Sequence, residues 1–125
     1  MKKLTKAEEE IMQIIWQLEK CTVSQILDYM EKEMGLKRPP HSSISSIVRI
    51  VEEKGFLNHK AYGRTYEYFP IITKSDYGKR TLKSFVKNYF DGSMERLVSF
   101  MVKENDLSVE ELGEMLEKLN EEQKK

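Results

Sequence analysis

One stretch limits what this chain can fold into: Pro39-Pro40-His41-Ser42-Ser43-Ile44-Ser45-Ser46-Ile47-Val48-Arg49-Ile50-Val51-Glu52-Glu53-Lys54-Gly55. Ile44, Ile47, Val48 and Val51 recur at i, i+3, i+4 and i+7, which lines them along one stripe of a helix, and the prolines and Gly55 mark its two ends. That stripe needs a core to bury it. The opposite face carries Ser42, Ser45, Ser46 and Arg49 in place of the Glu/Lys mixture of an ordinary solvated helix. Serine competes for backbone hydrogen bonds and weakens a helix, so Ser42, Ser43, Ser45 and Ser46 so close together need a reason beyond folding. Close approach to phosphates and base edges is one such reason.

Upstream, Leu4, Ala7, Ile11, Ile14, Ile15 and Leu18 hold a helical period, and Thr5 followed by Glu8 is a capping-box pair, so a first helix is expected over about 5–20. Trp16 sits one place off the stripe, where it packs at the core or its edge. Cys21-Thr22-Val23 reads as a short extended link, and a second helix over about 24–34 turns Ile26, Leu27 and Met30 inward and stops at Gly35. A short turn then delivers the serine-rich helix, which is the helix-turn-helix arrangement. After Gly55 the period changes. Residues 56–60 and 65–69, rich in aromatic and branched side chains, flank Ala61-Tyr62-Gly63-Arg64 and read as a β-hairpin. A hairpin directly behind a reading helix is a wing, with Lys60 and Arg64 at its tip beside His59, set to meet a sugar-phosphate backbone. The alternative is a solvated hairpin whose charges only protect edge strands.

From Lys74 onward the chain is helical again. Tyr77, Leu82, Phe85, Val86, Tyr89 and Phe90 mark one helix, Met94, Leu97, Val98, Met101 and Val102 a second, and Leu112, Met115, Leu116 and Leu119 a third, opened by Ser108 with Glu111. Three helices of this length cannot hide so many large apolar side chains among themselves. A second copy is the simplest cover, through Phe85, Tyr89, Met94, Leu97, Val98, Met101, Leu112 and Leu116; the alternative folds these helices back on the N-terminal unit. The expected fold is therefore mainly α with a small β-hairpin wing: a winged helix-turn-helix DNA-binding domain over 1–74, then a three-helix dimerisation domain over 75–125.

With 39% hydrophobic and 34% charged residues among 125, the chain has material for one ordinary core or two small ones. Cys21 is the single cysteine, and His41 and His59 stand 18 apart without ligand spacing around them, so neither a disulfide, a metal nor another cofactor is expected. No Ser/His/Asp or Cys/His arrangement and no glycine-rich phosphate loop is present, so an enzyme is not expected. No segment reads as a membrane span, and Met1-Lys2-Lys3-Leu4 leads into a polar helix without an apolar signal region, which points to the cytoplasm. The formal net charge is zero, but its distribution is uneven. Residues 35–64 hold six Lys or Arg against two Glu, a net +4, whereas 104–122 hold eight acids and one Lys, a net −7. The middle attracts a polyanion and the tail repels one.

Four segments together resemble the penicillinase and methicillin-resistance repressor family, which includes copper-responsive relatives. They are residues 4–16, Glu53-Lys54-Gly55-Phe56-Leu57-Asn58-His59-Lys60, the wing Gly63-Arg64-Thr65-Tyr66-Glu67-Tyr68-Phe69-Pro70, and Leu107-Ser108-Val109-Glu110-Glu111-Leu112. The resemblance implies a homodimeric winged-helix repressor bound to a palindromic double-stranded DNA operator. It implies base and phosphate contacts at Ser42, Ser43, Ser45 and Ser46, with Arg49 one place before the family's usual basic position, now Ile50. Lys37, Arg38, Lys60 and Arg64 are the expected backbone contacts. In the resistance repressors a membrane sensor system instigates cutting of an Asn-Phe bond; the matching positions here are Phe100 and Met101, so that bond is not reproduced. The cysteine-rich motif of the copper-sensing branch has no counterpart in Asn120-Glu121-Glu122-Gln123-Lys124-Lys125. A winged-helix module that binds protein rather than DNA is the rival reading.

Overall fold

The computed structural model describes residues 2–104 and 107–123. Asp106 of the acidic run and the final Lys124 and Lys125 lie outside them. Two threonines open the first two helices. Thr5 Oγ1 accepts from the Glu8 backbone N–H at 3.2 Å while Glu8 Oε1 accepts from the Thr5 N–H at 2.9 Å, and α1 runs Lys6–Leu18 from that box. Ile11, Met12, Ile14 and Ile15 face inward, whereas Ala7 of the expected stripe is exposed and Glu8 is buried in its stead. A charge is tolerated there because Lys54 Nζ lies 2.5 Å from Glu8 Oε1 and also donates to the Lys3 carbonyl. The expected link before the second helix is shorter than its sequence suggests. Thr22 and Gln25 form a second capping box, so α2 begins at Val23 and runs Val23–Lys32.

Helix α3 spans His41–Glu53, with Pro40 at its N-cap and no side chain capping it. Ile44, Val48 and Val51 are buried and Ile47 half-buried, so the core stripe packs as its spacing predicts. Its C-terminus is a Schellman turn. The Gly55 N–H donates to the Glu52 carbonyl, the Phe56 N–H donates to the Val51 carbonyl, and Gly55 sits at φ +89°, in the left-handed region glycine enters without Cβ strain. The turn drops Phe56 fully into the core and starts the hairpin of β1 (Leu57–Tyr62) and β2 (Thr65–Pro70).

The strands pair antiparallel from Leu57↔Pro70 to Tyr62↔Thr65, which leaves Gly63 and Arg64 as a two-residue turn, tighter than the four-residue loop of the sequence reading. Gly63 takes φ +64° there. Cys21 extends the hairpin: its N–H donates to the Tyr68 carbonyl and its carbonyl accepts from the Tyr68 N–H, at 2.9 and 2.7 Å. Helices α1, α2 and α3 with a hairpin packed behind them make a winged helix-turn-helix.

The chain divides into two compact units, Met1–Gly78 and Lys79–Lys125. Helix α4 (Lys74–Tyr89) has its first turn in the first unit. Tyr77 packs edge-on against Phe56, with ring centres 5.5 Å apart, and beside Trp16, whose indole N–H donates to the Ile72 carbonyl. In the second unit, Ser93 caps α5 (Met94–Lys103) by accepting from the Arg96 N–H, and Ser108 accepts from Glu111 N–H at the start of α6 (Val109–Gln123). Val86 is the one buried apolar side chain there among the described residues. Phe85, Tyr89, Met94, Phe100, Val109, Met115, Leu116 and Leu119 stay exposed, while Leu97, Val98, Met101 and Leu112 are half-buried.

Candidate nucleic-acid interface

With Ile44, Val48 and Val51 committed to the core, helix geometry turns Ser42, Ser43, Ser46 and Arg49 outward, and all four are exposed. Ser45 is half-buried on the flank of this face that meets the wing. An open cleft of about 370 Å³ runs there, between the start of α2, the side of α3 and the hairpin. Ser24, His41, Ser45, Arg49, Arg64 and Tyr66 are among its walls. It brings two guanidinium groups, six hydroxyl-bearing side chains and the N-terminus of α2 to one opening, an electropositive concavity in which an anion finds charge and hydrogen-bond donors together.

The expected backbone contacts divide by their surroundings. Arg38 Nη1 lies 2.8 Å from Asp28 Oδ1 and 3.7 Å from Glu31 Oε1, so its charge is already offset within the protein. The hydrogen bond from Arg38 holds the Asp28 carboxyl below its usual range. Lys37 is exposed on the segment before α3. Lys60 lies two residues short of the hairpin turn, opposite Glu67, with its Nζ 5.3 Å above the Tyr62 ring. The turn itself carries Arg64. Arg49 makes no hydrogen bond or ion pair among the described residues. The cleft therefore collects Ser45, Arg49 and Arg64, while Ser42, Ser43 and Ser46 lie on the open face of α3, and Lys37, Arg38 and Lys60 do not line it.

Sequence patterns do not single out every contributor. His41, from the opening of the serine-rich stretch, and Tyr66, from the wing, line the cleft, although no spacing marks either as a contact. Thr22 could have been found, since its spacing to Gln25 is that of a capping box. No local pattern links the next two residues: the His59 ring N–H at Nδ1 donates to Glu52 Oε2 at 2.5 Å, tying β1 to the last turn of α3. His59 also stacks on Tyr66 with ring centres 4.2 Å apart. Burial, and then the Glu52 charge, raise the Tyr68 phenol above its ordinary value.

Cys21 is buried, which pushes its thiol up to about 12 and leaves almost no thiolate at neutral pH. Among the described residues no group of three or more His, Cys, Asp or Glu is placed to hold a metal ion. No described helix is long and apolar enough to cross a membrane.

Comparison with known proteins bears on this geometry. The sequence model of the penicillinase repressor family matches residues 4–121. The methicillin resistance regulatory protein MecI of Staphylococcus aureus (strain N315) is 28% identical over 119 residues, which cover 94% of this chain and 93% of that protein. The penicillinase repressor of Bacillus licheniformis is also 28% identical, over 118 residues covering 94% of this chain and 90% of its own. Among solved structures, the solution structure of the DNA-binding domain of the repressor BlaI is 30% identical, covers 62% of this chain and 94% of its own, and superposes with a TM-score of 0.49.

Proposed function

The chain belongs to the penicillinase repressor family, and from that premise we propose that it is a cytoplasmic, homodimeric transcriptional repressor that binds an inverted-repeat DNA operator. The observation that carries this reading is the exposed serine face of α3 with unpaired Arg49 beside it and Arg64 of the wing across the cleft. In the proposed complex α3 enters the major groove, where short serines let the helix backbone approach base edges and Arg49 reaches a guanine or a phosphate. Arg64, Lys60 and Lys37 neutralise phosphates, and the start of α2 faces the same strand. Arg38 contributes less than its sequence position suggests, because Asp28 and Glu31 would have to release it first.

The helices of the second unit supply the dimer contact in this reading. The exposed Phe85, Tyr89, Met94 and Leu116, with Leu97, Val98, Met101 and Leu112 half-covered, are apolar area that a second copy would remove from water. We assign 1–78 to DNA and 79–125 to the dimer, four residues later than the boundary expected from sequence, because Tyr77 packs in the core of the first unit. Two-fold symmetry then asks for half-sites one or more helical turns apart, in steps of roughly 10 base pairs. Relief of repression by a sensor-driven protease is part of the proposal. Phe100 and Met101 lie inside α5, so cutting their bond requires that helix to unwind locally, since proteases act on extended backbone.

Binding to the inverted-repeat DNA upstream of its own gene tests the reading, by fluorescence anisotropy from low to physiological salt with a scrambled duplex as control. Tight, sequence-dependent binding of two chains per duplex that weakens steeply with salt is the expected result. No binding at low salt would replace it with a protein-binding winged helix.

A further inference from the structure

Arg49 and Glu52 stand three residues apart on α3, the spacing at which opposite charges on a helix pair with each other. They do not pair here. Arg49 has no hydrogen-bond or ion-pair partner among the described residues, and Glu52 is turned toward β1, where it accepts the Nδ1–H of His59 at 2.5 Å. A carboxylate has only acceptors to offer, so the proton of this contact belongs to the imidazole. The His59 ring cannot swing away, because Tyr66 stacks on it at 15° between planes and Tyr68 covers it with its ring centre 5.6 Å off. Tyr68 is itself pinned by its two backbone bonds to Cys21. Glu52 and Arg49 act with opposite sign on the Tyr68 phenol, so carboxylate and guanidinium stand around the same group.

We propose that His59 is a positioning residue of the DNA reader: by holding the Glu52 carboxylate on the wing side of α3, it leaves the Arg49 guanidinium unpaired and free to reach DNA. The inference rests on the DNA-binding reading. Without the imidazole, Glu52 is released to pair with Arg49, three residues before it on the same helix. The pair then cancels the charge the reader uses and places a carboxylate beside the incoming phosphates.

The test is a double-mutant cycle on the full-length protein, with wild type, His59→Ala, Glu52→Gln and His59→Ala/Glu52→Gln, and His59→Gln beside them, titrated against the upstream inverted-repeat duplex with thermal melts run alongside. His59→Ala is expected to weaken binding about tenfold, the scale of one lost arginine contact, and to lower the salt slope. His59→Gln, which keeps a donor for Glu52, is expected to bind close to wild type. Glu52→Gln is expected to restore affinity in the His59→Ala background and to change it far less in wild type, because only without His59 does that charge capture Arg49. A double variant as weak as His59→Ala would overturn the proposal and reduce His59 to a brace for the wing. His59→Ala with wild-type affinity would overturn it too. Failure of the wild type to bind at all would instead overturn the DNA reading, and this inference with it.

Discussion

Glu8 is the residue whose environment departs furthest from what its type prefers. It is buried, and the Lys54 hydrogen bond, followed by that of the Thr5 N–H, holds its carboxyl below the usual range. The folded-state value lies under the unfolded one, so the stabilisation is complete above the ordinary carboxylate range and is lost as pH falls through the folded value. Acid melts of wild type should show that loss below roughly pH 4, and a Glu8→Gln protein should lack that share of it. Lys54→Met should lower stability by about 2 kcal/mol at neutral pH, read by urea unfolding, because it leaves the Glu8 charge buried without its partner. Arg64 makes the opposite case, an exposed residue whose value lies outside the fold. Arg64→Ala should leave the melt unchanged, weaken binding to specific and scrambled duplex alike, and reduce the salt slope by about one.

At the scale of elements, the wing depends on a turn of two residues. Gly63 at φ +64° closes the hairpin between Tyr62 and Thr65, and a β-branched residue there would pay for the left-handed conformation with its Cβ. Gly63→Val should cost about 1 kcal/mol and let the strands fray from the tip, which amide exchange of Tyr62 and Thr65 would register. The helices were legible in the sequence, because Thr5–Glu8 and the Ile44-Ile47-Val48-Val51 stripe are local patterns of three to seven residues. The second capping box, at Thr22 and Gln25, was legible as well and went unread. Its neighbour Cys21 was not: its pairing with Tyr68 joins residues 47 positions apart, which no periodicity announces.

For the whole molecule, the described residues of the second unit expose nine large apolar side chains with almost no core beneath them, whereas the first unit exposes seven around a well-buried core. In the first unit Phe56, Met12, Ile15 and Val48 are fully buried, whereas among the described residues of the second only Val86 is buried, and that not completely. A double Tyr89→Glu/Leu116→Glu protein should run as a single chain by light scattering where the wild type runs as two. It should also lose the stoichiometry of two chains per operator while each winged helix stays folded, as far-UV circular dichroism and residual non-specific binding would report. Wild-type behaviour as a single chain would remove the dimer from the proposal.

By itself the sequence determined the elements and their order, the core stripe of α3, the hairpin behind it and the basic middle of the chain. Those follow from side-chain spacing, from caps and turns acting over a few residues, and from the charge count of a segment. Only the tertiary structure decided which of the charges are available. Arg38 and Arg49 read alike as basic residues near the reading helix, yet Asp28 and Glu31 take up the first, while Glu52, three residues after the second, is held by His59 from another element. Pairing between side chains is set by distance in space, and a list of residues carries no record of it until the chain has folded.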